Sequence, residues 1–177
     1  AEALVTRALI ASRTSQANAL VTARALVGAE ADGQLGHGLV RVPSYAEQAR
    51  VGKIDGFARP EISGTGAARR IDAGTGFAYP AIELALDRLA PLAREMGIAS
   101  AGIHASHHCG QAGRHVERLA EQGLVAFAYA NTPSAMAFHG GKRSRLGTDP
   151  LAFAAPISGR APLVIDIEAQ QKQKFRD

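Results

Sequence analysis

Apolar residues recur at helical spacing from the first turn of the chain. Leu4, Val5, Ala8 and Leu9 share one side of a helix, and Thr14 or Ser15 can cap a second. In that second helix Ala19, Leu20, Ala23, Leu26 and Val27 form one stripe with Arg24 off it, and Asp32-Gly33 ends it. The pattern predicts two alanine-rich helices over residues 1 to about 31 that pack on something larger. Pro43 suits the start of a short helix running to about Val51, before Gly52. Residues 52–76 are broken by glycine and proline, with room only for short strands such as Ala68–Asp72. Ile82, Leu84, Ala85, Leu86, Leu89 and Leu92 predict a helix from about Tyr79 to Met96, kinked or split at Pro91 and closed by Gly97.

Further on the pattern turns to strands. Ile98–Ile103 reads as a buried strand, followed by the loop His104–Gly110, a helix from about Gly113 to Gln122, and the apolar strand Leu124–Ala130. Asn131–Pro150 reads as mostly loop, and Leu151–Ala155 and Leu163–Ile167 as two more strands. The tail Glu168–Asp177 is polar and reads as a solvated helix or a frayed end. Strand, glycine-rich loop, helix and strand in this order indicate an α/β arrangement, with ligands expected where strands end.

Composition narrows the classes. The 177 residues are 46% hydrophobic and 20% charged, as in an ordinary globular domain with a core, and no apolar run is long enough for a membrane span. Ala1-Glu2-Ala3-Leu4 lacks the basic start of a signal peptide. One cysteine, Cys109, rules out an internal disulfide and fits the reducing cytoplasm. The net charge of +4 is scattered, its densest group being Lys142-Arg143-Ser144-Arg145. With 5% aromatic residues and no tryptophan, nothing argues for nucleic acid, while anionic small molecules suit the charge.

Three stretches carry candidate chemistry. In Gly36-His37-Gly38-Leu39-Val40-Arg41, a helix would place His37 and Arg41 about one turn apart on one side. Imidazole moves a proton near neutral pH, guanidinium grips a carboxylate with paired hydrogen bonds, and the glycines would clear space beside the ring. The plainer reading is a solvated histidine in a glycine-rich turn. His104, His107, His108 and Cys109 raise zinc and a cysteine–histidine nucleophile, but adjacent residues rarely converge on one ion or pair correctly. The preferred reading uses the backbone: His108-Cys109-Gly110-Gln111-Ala112-Gly113 would turn free N–H groups toward an anion such as pyrophosphate. Gly74-Thr75-Gly76 is not a Rossmann fingerprint, because the third glycine is absent and Arg69–Asp72 does not read as a buried parallel strand.

The segments Gly36–Tyr45, Ser106–Gly110, Asn131–Met136 leading to Gly140-Gly141, and Gly147–Ala154 occur in an order and spacing that resemble the type-2 malate/L-lactate dehydrogenase family. That family includes ureidoglycolate, sulfolactate and Δ1-piperideine-2-carboxylate oxidoreductases. The resemblance runs from residue 1 to about 167. It implies an N-terminal helical segment plus a non-Rossmann, mixed-sheet nicotinamide-binding domain, incomplete at the C-terminus. It also implies an NAD- or NADP-dependent cytoplasmic homodimer acting on a small 2-hydroxy or 2-keto acid. Residues 1–75 would carry substrate and 76–177 cofactor. By motif, His37 is the proton donor and acceptor, with His108 competing for that role. Arg41 anchors the carboxylate and Thr148 touches substrate. His108, Cys109, Gly110, Gln111 and Ala112, with Asp166, Ile167 and Glu168, contact the cofactor. Three departures stand out: Gly36 replaces a serine common before the histidine, the run after Asp166 differs, and family chains are much longer. The last raises an alternative, a truncated, non-catalytic binding or dimerisation form.

Overall fold

Ser15 accepts the Asn18 amide at 3.3 Å and so starts α2 (Gln16–Ala31), which follows α1 (Glu2–Ala11). The computed structural model describes residues 1–167 and divides into two compact units, Ala1–Gln111 and Ala112–Asp177. In the first unit α1 and α2 pack on each other, through Val5 and Leu9 on one and Ala19, Ala23 and Leu26 on the other. Small alanines let the two backbones approach, and this explains the alanine-rich stripe. Leu4, expected on the apolar side of α1, is 64% exposed. Asn18 is buried and donates to both Gly56 O and Ala58 O at 2.9 Å, tying α2 to the loop beneath it.

The helix α3 (Val42–Arg50) follows two 3₁₀ turns, Leu35–His37 and Leu39–Arg41, and has Pro43 in its first turn. A three-stranded sheet is ordered β1 (Glu61–Ser63), β2 (Ala68–Asp72), β3 (Ser100–His104). β1 runs antiparallel to β2, and β2 runs parallel to β3 with Ile71 opposite Ile103. The crossover between the parallel strands is α4 (Ala78–Met96), whose Ala81 and Ala85 pack with Ile71 and Ala73. Arg69–Asp72 is thus a parallel strand after all; only Ile71 of it is fully buried, so its sequence lacks the apolar run that marks such strands.

Two more expectations are corrected here. α4 is not split at Pro91 but runs on as one helix; Pro91 is exposed, so water can meet the carbonyl that loses its partner. Ile98 is 72% exposed and β3 begins only at Ser100, its residues exposed or partly buried.

In the second unit α5 (Ala112–Ala120) packs on a fully antiparallel sheet ordered β4 (Ala126–Tyr129), β7 (Leu151–Ile157), β8 (Arg160–Ile167). Ala126, Ala152 and Ala154 are buried, as are Val116 and Leu119 of the helix. A short hairpin, β5 (Met136–Ala137) and β6 (Ser144–Leu146), lies inside the stretch expected to be loop. The sequence run β3, loop, α5, β4 is not one strand–helix–strand unit, since β4 pairs with β7. The true parallel unit is β2–α4–β3. Among the described residues no helix is long and apolar enough to cross a membrane.

Candidate functional site

Gly33, at φ +77°, turns the chain out of α2, and the two 3₁₀ turns that follow carry His37 and Arg41. The residues do not share one helical face as expected, because Gly38 at ψ −139° breaks the helical path between them. What joins them is a hydrogen bond: Arg41 Nε donates to Gly36 O at 2.6 Å. One of five guanidinium N–H groups thus fixes the arm, and Arg41 remains exposed.

The two glycines differ in what surrounds them. A Cβ on Gly36 would meet nothing within 4 Å, so the space at that glycine is open. A Cβ on Gly38 would strike Glu30, whose carboxylate accepts the Leu39 amide at 2.8 Å. Gly38 lets α2 pin the His37 turn.

Beside this turn lie the loop residues His107, His108 and Gly110. The His37 and His108 rings stack almost parallel, 8° apart with centroids 5.3 Å apart. His108 Nδ1 lies 2.7 Å from the Tyr45 hydroxyl, which lies 3.5 Å from that of Tyr79. His107 packs edge-on against Tyr45 at 4.7 Å and near Phe77 at 6.1 Å. Tyr45 and Tyr79 are each 2% exposed. Sequence reasoning missed both, although a buried tyrosine almost always brings its hydroxyl to a partner. His104 faces elsewhere, accepting from Arg70 Nε at 3.0 Å. Among the described residues no three His, Cys, Asp or Glu side chains are placed to hold a metal ion.

Burial, then the charge of Arg41 and the rings of His37 and His107, push His108 down from 6.5 to about 4. Burial, then Lys53 and Arg41, do the same to His107. Arg41 therefore acts on both rings. The unfolded chain takes up these protons first as pH falls, so the native fold is destabilised progressively between 6.5 and about 4 and keeps its full stability above. We expect the thermal midpoint of the protein to fall across that window, and to fall less in His107→Gln. Identical pH profiles for the two chains would show that folding does not burden His107.

The glycine-rich turns differ in what their amides do. At Gly74-Thr75-Gly76 they are spent on Asp72 Oδ1, Ala105 O and Ala73 O, which leaves no nest for a pyrophosphate. Gly110 stands at φ +70° with the Tyr79 ring directly over its Cα. Cys109 directs its thiol to Gly110 O at 3.9 Å. Buried polar atoms without a partner among the described residues include His37 Nδ1, His107 Nδ1 and Gln111 Oε1. Such atoms fit a polar ligand group, because burying them unmatched costs free energy.

In the second unit Ala112 opens α5, and the Gly113 amide donates to Asp166 Oδ2 at 2.7 Å. That amide, expected to await a phosphate, meets a carboxylate of the protein. Ile167 ends β8 opposite Leu151 and is exposed. Thr148 is held by its amide on Thr132 Oγ1 at 2.6 Å, and the Asp149 carboxylate accepts the Thr132 amide at 3.0 Å. Glu168 lies outside the described residues.

Comparison with known proteins adds to this geometry. Residues 1–169 match the sequence model of the malate/L-lactate dehydrogenase family. The chain is 51% identical over 167 residues to the (2R)-3-sulfolactate dehydrogenase (NADP(+)) of Chromohalobacter salexigens, covering 94% of this chain and 50% of that protein. It is 40% identical to a Δ1-pyrroline-2-carboxylate/Δ1-piperideine-2-carboxylate reductase of Pseudomonas putida, covering 86% and 45%. The solved Δ1-piperideine-2-carboxylate reductase of Pseudomonas syringae superposes with a TM-score of 0.88 at 38% identity, covering 94% of this chain and 50% of that one. The chain spans about half the length of the curated relatives it matches.

Proposed function

Since the chain belongs to the malate/L-lactate dehydrogenase family, we propose that it serves hydride exchange between NAD or NADP and a small 2-hydroxy or 2-oxo acid. The observation that carries this reading is the stacked pair His37–His108 with Arg41 fixed beside it. Arg41 holds the carboxylate and thereby brings the C2 oxygen toward the two rings. In the reducing direction His37 gives the proton to that oxygen, the product leaves as the 2-hydroxy acid, and water reprotonates the ring. The bound nicotinamide would supply the hydride at C2.

The loop from His108 through Cys109, Gly110 and Gln111 to Ala112 holds the cofactor in this reading. Its orphaned acceptor, Gln111 Oε1, suits the neutral, amide-bearing nicotinamide end better than a pyrophosphate. In the second unit Asp166 keeps Oδ1 for a ribose hydroxyl, with Ile167 and Glu168 as further cofactor contacts and Thr148 as a substrate contact. The NADP(+) named for the sulfolactate dehydrogenase relative favours NADP. Residues 1–75 serve substrate and 76–177 cofactor, in a cytoplasmic homodimer; the family resemblance and the single cysteine support these last points.

Arg41→Lys tests the anchor. A point charge cannot replace a planar two-pronged grip, and a lost charge-assisted hydrogen bond costs about 1.5–3 kcal/mol. Binding of pyruvate or sulfopyruvate, read by calorimetry, should weaken about 10- to 100-fold. Unchanged affinity would place the carboxylate elsewhere and remove the main support for the reading.

A further inference from the structure

We infer that Tyr45, backed by Tyr79, is a positioning residue that fixes His108 as the tautomer carrying its proton on Nε2. Three observations converge on it. The Tyr45 hydroxyl is buried and stands 2.7 Å from His108 Nδ1, a short contact for a neutral pair. The Tyr79 hydroxyl stands behind it at 3.5 Å, a contact in which either oxygen can donate; with His108 Nδ1 in front to accept, Tyr79 is assigned as the donor to Tyr45. Burial holds both phenols above their usual range, so each keeps its proton. A hydroxyl that receives from Tyr79 has its own proton left to give, and His108 Nδ1 is the acceptor in front of it. The imidazole proton then sits on Nε2.

Gly110 is part of this device. A side chain there would run into the Tyr79 hydroxyl and ring, so the glycine keeps the second phenol in place. Besides the Tyr45 phenol against its Nδ1, the charged or titratable groups that act on His108 are Arg41, His37 and His107. Arg41, His37 and His107 disfavour an imidazolium. His108 is accordingly a neutral, oriented N–H donor, and in the proposed reaction the proton transfer is assigned to His37. Only that division of labour rests on the proposed function; the tautomer itself does not.

The test is a two-bond proton–nitrogen correlation spectrum of the histidine-labelled chain near neutral pH, with His108→Gln to assign the signals. We expect Nδ1 of His108 at the unprotonated, hydrogen-bonded position and Nε2 at the protonated one. In Tyr45→Phe the two nitrogens should move toward each other as the tautomers mix, and in Tyr79→Phe they should move part of the way. A proton on Nδ1 in the parent chain, or an unmoved pair in Tyr45→Phe, overturns the inference. If Tyr45→Phe fails to fold, the parent spectrum decides alone. A fixed Nε2–H tautomer in a chain that binds no 2-oxo acid would sink the proposed function and leave this inference standing.

Discussion

His37→Ala is expected to lower kcat for 2-oxo acid reduction by roughly 10²–10⁴-fold, the usual contribution of a positioned general acid. The stacked geometry makes this a question of choosing between two rings, since both stand in one site. A general acid works best with its pKa near the working pH, and His108 is pushed to about 4. Burial is the largest cause, and a bound acid would exclude more water from the ring. We assign the proton transfer to His37, which stacks on His108 next to the Arg41 turn and whose Nδ1 has no partner among the described residues. His108→Gln should chiefly weaken cofactor affinity and alter KM. If His108→Gln lost the large factor in kcat while His37→Ala kept its rate, the assignment would be reversed.

Gly110→Val should strike the fold rather than nucleotide affinity alone. An anion-binding turn alone would make this only a blocked phosphate site; the packing of Tyr79 on Gly110 adds a cost to the fold. A left-handed backbone at φ +70° costs a side-chain-bearing residue about 1–2 kcal/mol. The collision with Tyr79 adds overpacking of about 1–3 kcal/mol. At roughly 2–4 °C per kcal/mol for a chain of this size, the thermal midpoint should drop on the order of 10 °C. Gly36→Ala, whose added methyl meets nothing, is the control and should melt like the parent. A Gly110→Val chain with an unshifted midpoint would mean that Tyr79 does not pack there.

Much of the fold was legible because it rests on local periodicity. The Ser15 cap, the alanine stripe of α2, Pro43 and the limits of β2 follow from side-chain spacing and turn chemistry. Strand pairing was less so. β2 carries two arginines and one fully buried residue, and nothing in such a segment signals a parallel neighbour some thirty residues on. In the site, His37, Arg41 and His108 could be named from motifs, but not the way they meet. The intervening 3₁₀ turns and the Gly36 carbonyl decide that. Tyr45 and Tyr79 escaped notice because a hydroxyl pair 34 residues apart leaves no local pattern. Asp166 read as a cofactor contact by motif, and only the three-dimensional structure brings its carboxylate to the Gly113 amide.

Hydride exchange on a 2-oxo acid is the central claim, and nicotinamide absorbance tests it most directly. The folded chain is mixed with NADPH and, in turn, pyruvate, oxaloacetate, sulfopyruvate and a cyclic 2-imino acid. The account predicts absorbance loss that depends on at least one of these acids and disappears in His37→Ala. No acid-dependent loss with any of them, from a chain shown to be folded, would contradict it and favour a non-catalytic binding form.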